Sequence, residues 1–140
     1  MSADAPSHGR NHPPKVLVVD DSAVSRMALG HTLRKAGFEP VLADSAEAAR
    51  TYLKEDRPAL ILMDVQMPGT DGYTFTAELK SDPGTASIPI VIQTLRSLAV
   101  DREMAFAAGC DEYIAKPSRP EQLIPLLRRI ISATASTDAS

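Results

Sequence analysis

Short apolar runs recur along the chain at 16–19, 59–63 and 88–92, with weaker ones at 39–43 and 112–115, and the segments between them repeat their apolar residues with helical period. That alternation predicts five βα units, with no internal sequence repeat. Strands separated by helices in this way form a parallel sheet covered on both faces, which is why Leu60, Ile61, Leu62 and Met63 do not alternate with polar residues. The expected fold class is α/β: a doubly wound, five-stranded parallel sheet of order 2-1-3-4-5 with five helices. Helix-end signals agree with this reading. Gly37 and Gly109 stand at C′ positions, Asp44 with Glu47 and Ser118 with Glu121 have capping-box spacing, and Asp71 before Gly72 has the place of an N-cap. Pro125 falls inside the last predicted helix, where the lost hydrogen bond predicts a kink.

Composition sets the boundaries. A chain of 140 residues with 44% hydrophobic content suits one domain, expected over 15–133. The flanks, 1–14 with Pro6, Pro13 and Pro14 and 134–140 with Ala, Ser, Thr and Asp, are expected to be disordered tails too small for an output domain. A net charge of −3 with scattered basic residues gives no footprint for direct nucleic-acid binding. No apolar run approaches the ~20 residues that span a bilayer, and the amino terminus lacks the apolar core of a secretory signal, so a cytoplasmic protein without membrane insertion is expected. Cys110 is the only cysteine, which rules out an intramolecular disulfide; beside Gly109 it is expected to pack as a small apolar residue. His8 and His12 are four apart, but Pro13 and Pro14 follow at once and no third ligand is near, so they belong to a loose tail rather than a metal site.

Charge then changes the picture at one edge of the sheet. The first run, VLVV at 16–19, leads straight into Asp20 and Asp21, and the third is followed by Asp64. In a doubly wound sheet ligands sit beyond the carboxyl ends of the strands, and the order 2-1-3-4-5 makes the first and third strands neighbours at the switch point. Three carboxylates converge there. Like charges so close repel, and a cluster of hard oxygen donors suits Mg²⁺. Thr94 ends the fourth run and Lys116 the fifth, bringing a hydroxyl and an ammonium to the same rim. A carboxylate nucleophile, a divalent cation, an ammonium and a hydroxyl together describe a phosphoryl-transfer site, with Asp64 as the attacking group.

These residues resemble the response-regulator receiver domains of two-component signalling. The resemblance covers about residues 15–133 and rests on Asp20 and Asp21, the string DVQMPGTDG at 64–72, Thr94, and Lys116 followed by Pro117. It implies the flavodoxin-like receiver fold and phosphorylation of Asp64 by a histidine kinase or histidine phosphotransfer protein. It further implies that Asp21, Asp64 and the backbone carbonyl of Gln66 bind Mg²⁺ directly, with Asp20 acting largely through water. Lys116 would hold the phosphoryl oxygens, Thr94 would move to bond one of them, and Tyr113 would swing inward after it. The Lys116–Pro117 peptide would be cis. A stand-alone receiver that signals to a downstream protein follows, not an enzyme beyond its own phosphorylation and dephosphorylation.

Met singly, each residue has a plainer role: an N-cap for Asp20, Asp21 or Asp71, a loop charge for Lys116, a strand-end hydroxyl for Thr94, a half-buried aromatic for Tyr113. Their joint placement favours the site, except that Asp71 is read as a cap. A phosphatase of the haloacid dehalogenase type also uses an aspartate nucleophile and Mg²⁺, but wants a second Asp two residues on, where Gln66 and Ser22 stand. A receiver-shaped binding module that never gains phosphate is the third reading. Three departures from the resembled pattern stand out. Leu95 replaces a small residue after the switch threonine, Arg96 and Gln66 occupy the positions flanking the attacking water, and Ser118 replaces an aromatic after Lys-Pro.

The first helix carries two stripes. Ser25, Leu29, Thr32, Leu33 and Ala36 are expected to face the sheet, while Ala23, Met27 and Gly30 form a flank the sheet cannot also cover. That flank, with Met27 exposed near the acidic pair, is the expected docking surface for the kinase.

Overall fold

The structure, a computed structural model, describes residues 12–95 and 99–139. The expected tail over 1–14 therefore lies, as far as residue 11, outside the described residues, as does Arg96. The strands are β1 (Lys15–Val19), β2 (Glu39–Ala43), β3 (Leu60–Asp64), β4 (Ile90–Thr94) and β5 (Glu112–Ala115). Between and after them run α1 (Ala23–Lys35), α2 (Ala46–Leu53), α3 (Gly72–Ser81), α4 (Ala99–Ala107) and α5 (Pro120–Ala139). All strands pair in parallel in the order β2-β1-β3-β4-β5, as the alternating pattern predicts.

Strand periodicity divides the core into two layers. Leu17, Val19, Ile61, Met63, Ile90 and Ile92 face α2, α3 and α4, where Ala49, Phe75, Leu79 and Ala105 pack on them. Val16, Val18, Leu60, Leu62 and Val91 face α1 and α5, meeting Leu33, Leu123 and Leu127. Every residue of β3 is buried, so its unbroken apolar run reflects helices on both sides. Truncating Phe75, which is fully buried, to Ala would cost about 3–5 kcal/mol. Cys110 is buried among apolar neighbours, and burial pushes its thiol up to about 11.

Helix ends follow their caps with two corrections. Gly37 and Gly109 adopt the positive φ expected of C′ residues, and Asp71 caps α3 by accepting from Thr74 N. α2, however, is capped by Ser45, whose Oγ accepts from Ala48 N, so the cap lies one residue beyond Asp44. α5 begins at Pro120, with the Arg119 carbonyl accepting from Leu123 N, so Ser118 lies outside the cap position. Proline at the first helical position explains the shift, since its φ is already helical and its missing N–H would go unused there.

The last helix continues through Pro125, which is exposed and removes the hydrogen bond that an N–H there would give to the Glu121 carbonyl. It continues through Ala139, so the stretch from 134 that composition marks as a tail is helical as far as 139. Polar composition there reflects a helix that needs no apolar face along its whole length. Buried Ile130 and half-buried Ile131 anchor it, Thr134 Oγ1 donates to the Ile130 carbonyl at 2.9 Å, and Thr134 with Ala135 borders a hollow beside Arg57 and Pro89.

Candidate functional site

β1 and β3 are hydrogen-bonded neighbours with Val19 opposite Met63, so Asp20 and Asp64 leave the sheet side by side. Asp21 follows, and the three carboxylates offer oxygens within 4.8 Å of one another. β4 ends in buried Thr94, whose carbonyl accepts from Lys116 N at 2.7 Å and so ties the ends of β4 and β5 together. Asp20, Asp21, Asp64, Gln66, Thr94 and Lys116 line one cavity of about 200 Å³. These six of the residues expected from sequence meet there. Tyr113 stands apart on β5, half-buried against the α4 side of the core. The Lys116–Pro117 peptide is cis.

Asp20 is the most constrained group. Only 2% exposed, it accepts Ser22 N at 2.9 Å on Oδ1, and on Oδ2 it accepts Ser25 Oγ at 2.7 Å and Lys116 Nζ at 2.6 Å. Burial acts to raise its carboxyl, but the hydrogen bonds from Lys116, Ser25 and the Ser22 N–H outweigh it and hold the group below the ordinary carboxylate value. Asp64 differs. Burial first and the Asp20 charge second push its carboxyl up to about 6, against the pull of Lys116 at 3.4 Å. An all-oxygen donor set that is small and open on the Asp21 side fits Mg²⁺, which keeps several waters and takes one or two carboxylates.

Several supporting residues are not visible as such in sequence. Ser25, placed by its helical spacing against the sheet, turns its hydroxyl to Asp20 instead, and Arg26 donates from its guanidinium to the Asp20 carbonyl at 2.7 Å. Gly72 lets α3 start against the end of β3: a Cβ there would fall 2.1 Å from the Asp64 carbonyl oxygen. Arg50, forked onto Glu78 at 2.6 and 2.7 Å, also reaches Thr70 Oγ1 at 3.3 Å and so steadies the loop that carries Gln66. The DG pair at 71–72 is a legible signal for the close turn, whereas nothing in sequence pairs Arg50 with Thr70.

The expected docking flank is partly corrected. Met27 is 72% exposed and Ala23 is exposed. Gly30 is buried, because α1 leans on β2 and Leu42 covers that position at 3.7 Å from where a Cβ would stand. Leu95 is also 72% exposed, and its side chain borders the acidic cavity.

A doubly wound α/β fold of this order, with three acidic groups, a hydroxyl and a lysine gathered at the switch point, defines the class of protein to which the chain belongs. The response regulator receiver domain family matches residues 16–128, and the chain belongs to that family, the receivers of two-component systems. It is similar to the response regulator Rre1 of Synechocystis, 36% identical over 129 residues, covering 91% of this chain and 56% of that protein. The phosphate regulon transcriptional regulatory protein PhoB of Escherichia coli is 36% identical over 117 residues, covering 84% of this chain and 51% of that protein. The chain thus spans about half the length of the curated relatives it matches. Among solved structures, the receiver domain of a Pseudomonas aeruginosa sensor histidine kinase, with a magnesium ion coordinated in its active-site cleft, superposes with a TM-score of 0.79 at 31% identity, covering 86% of this chain and 98% of that one. Membership of this family sets aside the haloacid dehalogenase reading. No helix of the described residues is long and apolar enough to cross a membrane.

Proposed function

We propose that this receiver accepts a phosphoryl group on Asp64 from a phosphohistidine of a histidine kinase or a histidine phosphotransfer protein. An Asp64 carboxylate oxygen attacks phosphorus; the new O–P bond replaces the P–N bond, and the donor imidazole nitrogen leaves with the electron pair. The observation that carries this reading is the placing of Asp64 in a cavity with Lys116 Nζ 3.4 Å away and Asp20 and Asp21 beside it.

Asp21, Asp64 and the Gln66 carbonyl would hold Mg²⁺, with Asp20 acting through water. Bound there, the cation supplies positive charge to the phosphoryl oxygens. Lys116 adds the second positive charge, exchanging part of its contact with Asp20 for the new dianion. Thr94 donates its hydroxyl to a phosphoryl oxygen, and Tyr113 moves toward the space this leaves on the α4 side. The altered face then contacts a downstream protein, with no direct role for nucleic acid. The kinase docks over Ala23 and Met27 on α1.

Incubation with Mg²⁺ and acetyl phosphate, followed by intact mass measurement, tests the proposal. One phosphoryl group per chain is expected, stable in neutral buffer for long enough to be weighed and lost in base, and none on the Asp64→Asn variant. Labelling that survives this substitution would move the acceptor elsewhere. No labelling of the unaltered chain by any donor would leave a receiver-shaped binding module.

A further inference from the structure

One oxygen of the site serves two donors. Asp20 Oδ2 accepts Lys116 Nζ at 2.6 Å from the end of β5 and Ser25 Oγ at 2.7 Å from α1. Both draw on the same lone-pair charge, so each bond is weaker than it would be alone. The Ser25 hydroxyl is not needed to start the helix. Ser22 caps α1, and its Oγ accepts Ser25 N at 3.2 Å, which leaves the Ser25 side chain for Asp20. Because Asp20 is only 2% exposed, a donor that leaves Oδ2 is not replaced by bulk water. Transfer to Asp64 makes one donor leave. Lys116 Nζ lies 3.4 Å from Asp64 Oδ1, and turning to the phosphoryl oxygens draws it off Asp20.

We propose that Ser25 is a positioning residue for phosphoryl transfer: its hydroxyl keeps Asp20 Oδ2 bonded while Lys116 moves to the incoming phosphoryl group. The competing donor is then gone, so the bond from Ser25 to Asp20 is stronger in the transition state than before it. Only an interaction that strengthens in this way speeds the step. Ser25 makes and breaks no covalent bond and gives up no proton; it lowers the cost of moving the ammonium. The role rests on the reading of Asp64 as phosphoacceptor, whereas the sharing of Asp20 between two donors does not.

A double-mutant cycle on the full chain tests the sharing without metal or phosphate. Urea midpoints are measured in metal-free buffer for the parent, Ser25→Ala, Lys116→Met and the pair. Loss of the hydroxyl should lower the midpoint about twice as far or more when Lys116 is already replaced, because Asp20 Oδ2 then has neither donor. Ser25→Thr keeps the hydroxyl, and its added methyl has room in the hollow of about 470 Å³ that Ser25 borders. It should leave the midpoint of Lys116→Met almost unchanged, and this comparison decides if the pair with Ala does not fold. With saturating Mg²⁺ and acetyl phosphate, Ser25→Ala should take up its phosphoryl group roughly fivefold or more slowly, the worth of one hydrogen bond, and Ser25→Thr at close to the parent rate. Equal midpoint losses in the two backgrounds would overturn the proposal whatever Asp64 does, and so would an unchanged labelling rate in Ser25→Ala. A parent that takes no label while the midpoints couple would overturn the role together with the phosphoacceptor reading, and the shared oxygen would still stand.

Discussion

Lys116 Nζ lies nearer to Asp20 than to Asp64, at 2.6 Å against 3.4 Å, so without a divalent cation its charge chiefly offsets the buried carboxylate that anchors α1. Lys116→Met keeps the stem and removes the charge. Uncompensated Asp20 then repels Asp64 and Asp21, and folding in metal-free buffer at neutral pH should weaken by about 1–3 kcal/mol. Added Mg²⁺ should raise the Tm of the variant more than that of the parent, since the ammonium no longer competes for the same oxygens. Thermal scans with and without the ion decide; equal increments would mean that Lys116 and the cation do not share the site.

Asp64 has the opposite sign of pH dependence to most paired carboxylates. Its folded value of about 6 lies above the ordinary 3.8, so the folded state binds the extra proton between them, and stability from this group is lost as pH rises through that window. The lowered Asp20 carboxyl acts below its own unfolded value, where stability is lost as pH falls. Asp64→Asn should therefore be more stable than the parent in metal-free buffer at pH 7, by on the order of 1–3 kcal/mol, with the gap closing toward pH 4. Denaturant melts at several pH values measure it. A constant gap would assign the gain to something other than the charge.

Leu95 borders the mouth of the acidic cavity. Leu95→Ala should speed both labelling by acetyl phosphate and loss of the phosphoryl group, because each requires a small molecule to pass the same rim. Rates followed by tryptophan-free methods such as mass measurement or phosphorus NMR should rise several-fold in both directions. If neither changes, the exposed side chain lies clear of the path.

Met27 is exposed on α1 a turn and a half beyond Asp21. Met27→Glu should slow phosphotransfer from the cognate histidine kinase severely and leave acetyl phosphate labelling almost unchanged, since only the protein donor covers the helix. Loss with both donors would point to damage within the site. Full activity with both would place the kinase elsewhere.

What sequence makes legible follows from which interactions are local. The β3 run is buried on both faces and could be nothing but a central strand, and Asp20, Asp64, Thr94 and Lys116 are fixed to strand ends once the strands are found. Gly30 is buried against expectation because helical spacing defines a stripe without saying how far the helix leans, and Leu42 on a different element covers it. Asp44 lost the cap to Ser45 because a one-residue shift at a helix end depends on the strand before it. Ser25 shows the same limit. Its spacing fits a face toward the sheet, and only the position of Asp20 in space turns its hydroxyl to another purpose.

Lys80 sits at the end of α3 remote from Asp64. Its Nζ donates to the carbonyls of Ala86 and Ile88 at 3.2 and 2.8 Å and to Asp111 Oδ2 at 2.9 Å, and that oxygen also accepts Ile90 N at 2.8 Å. One ammonium thus pins the foot of α3, the start of β4 and the turn that leaves α4. With its far end fastened near Gly109, α4 would turn about that end under a push at the rim, through an arc widest at Ala99 and Val100 and smallest at Phe106. Val100 and Met104, both exposed, lie at different radii of that arc. A partner gripping them would sense an angle, and a small displacement beside Thr94 would reach it enlarged according to how far out along the helix it holds.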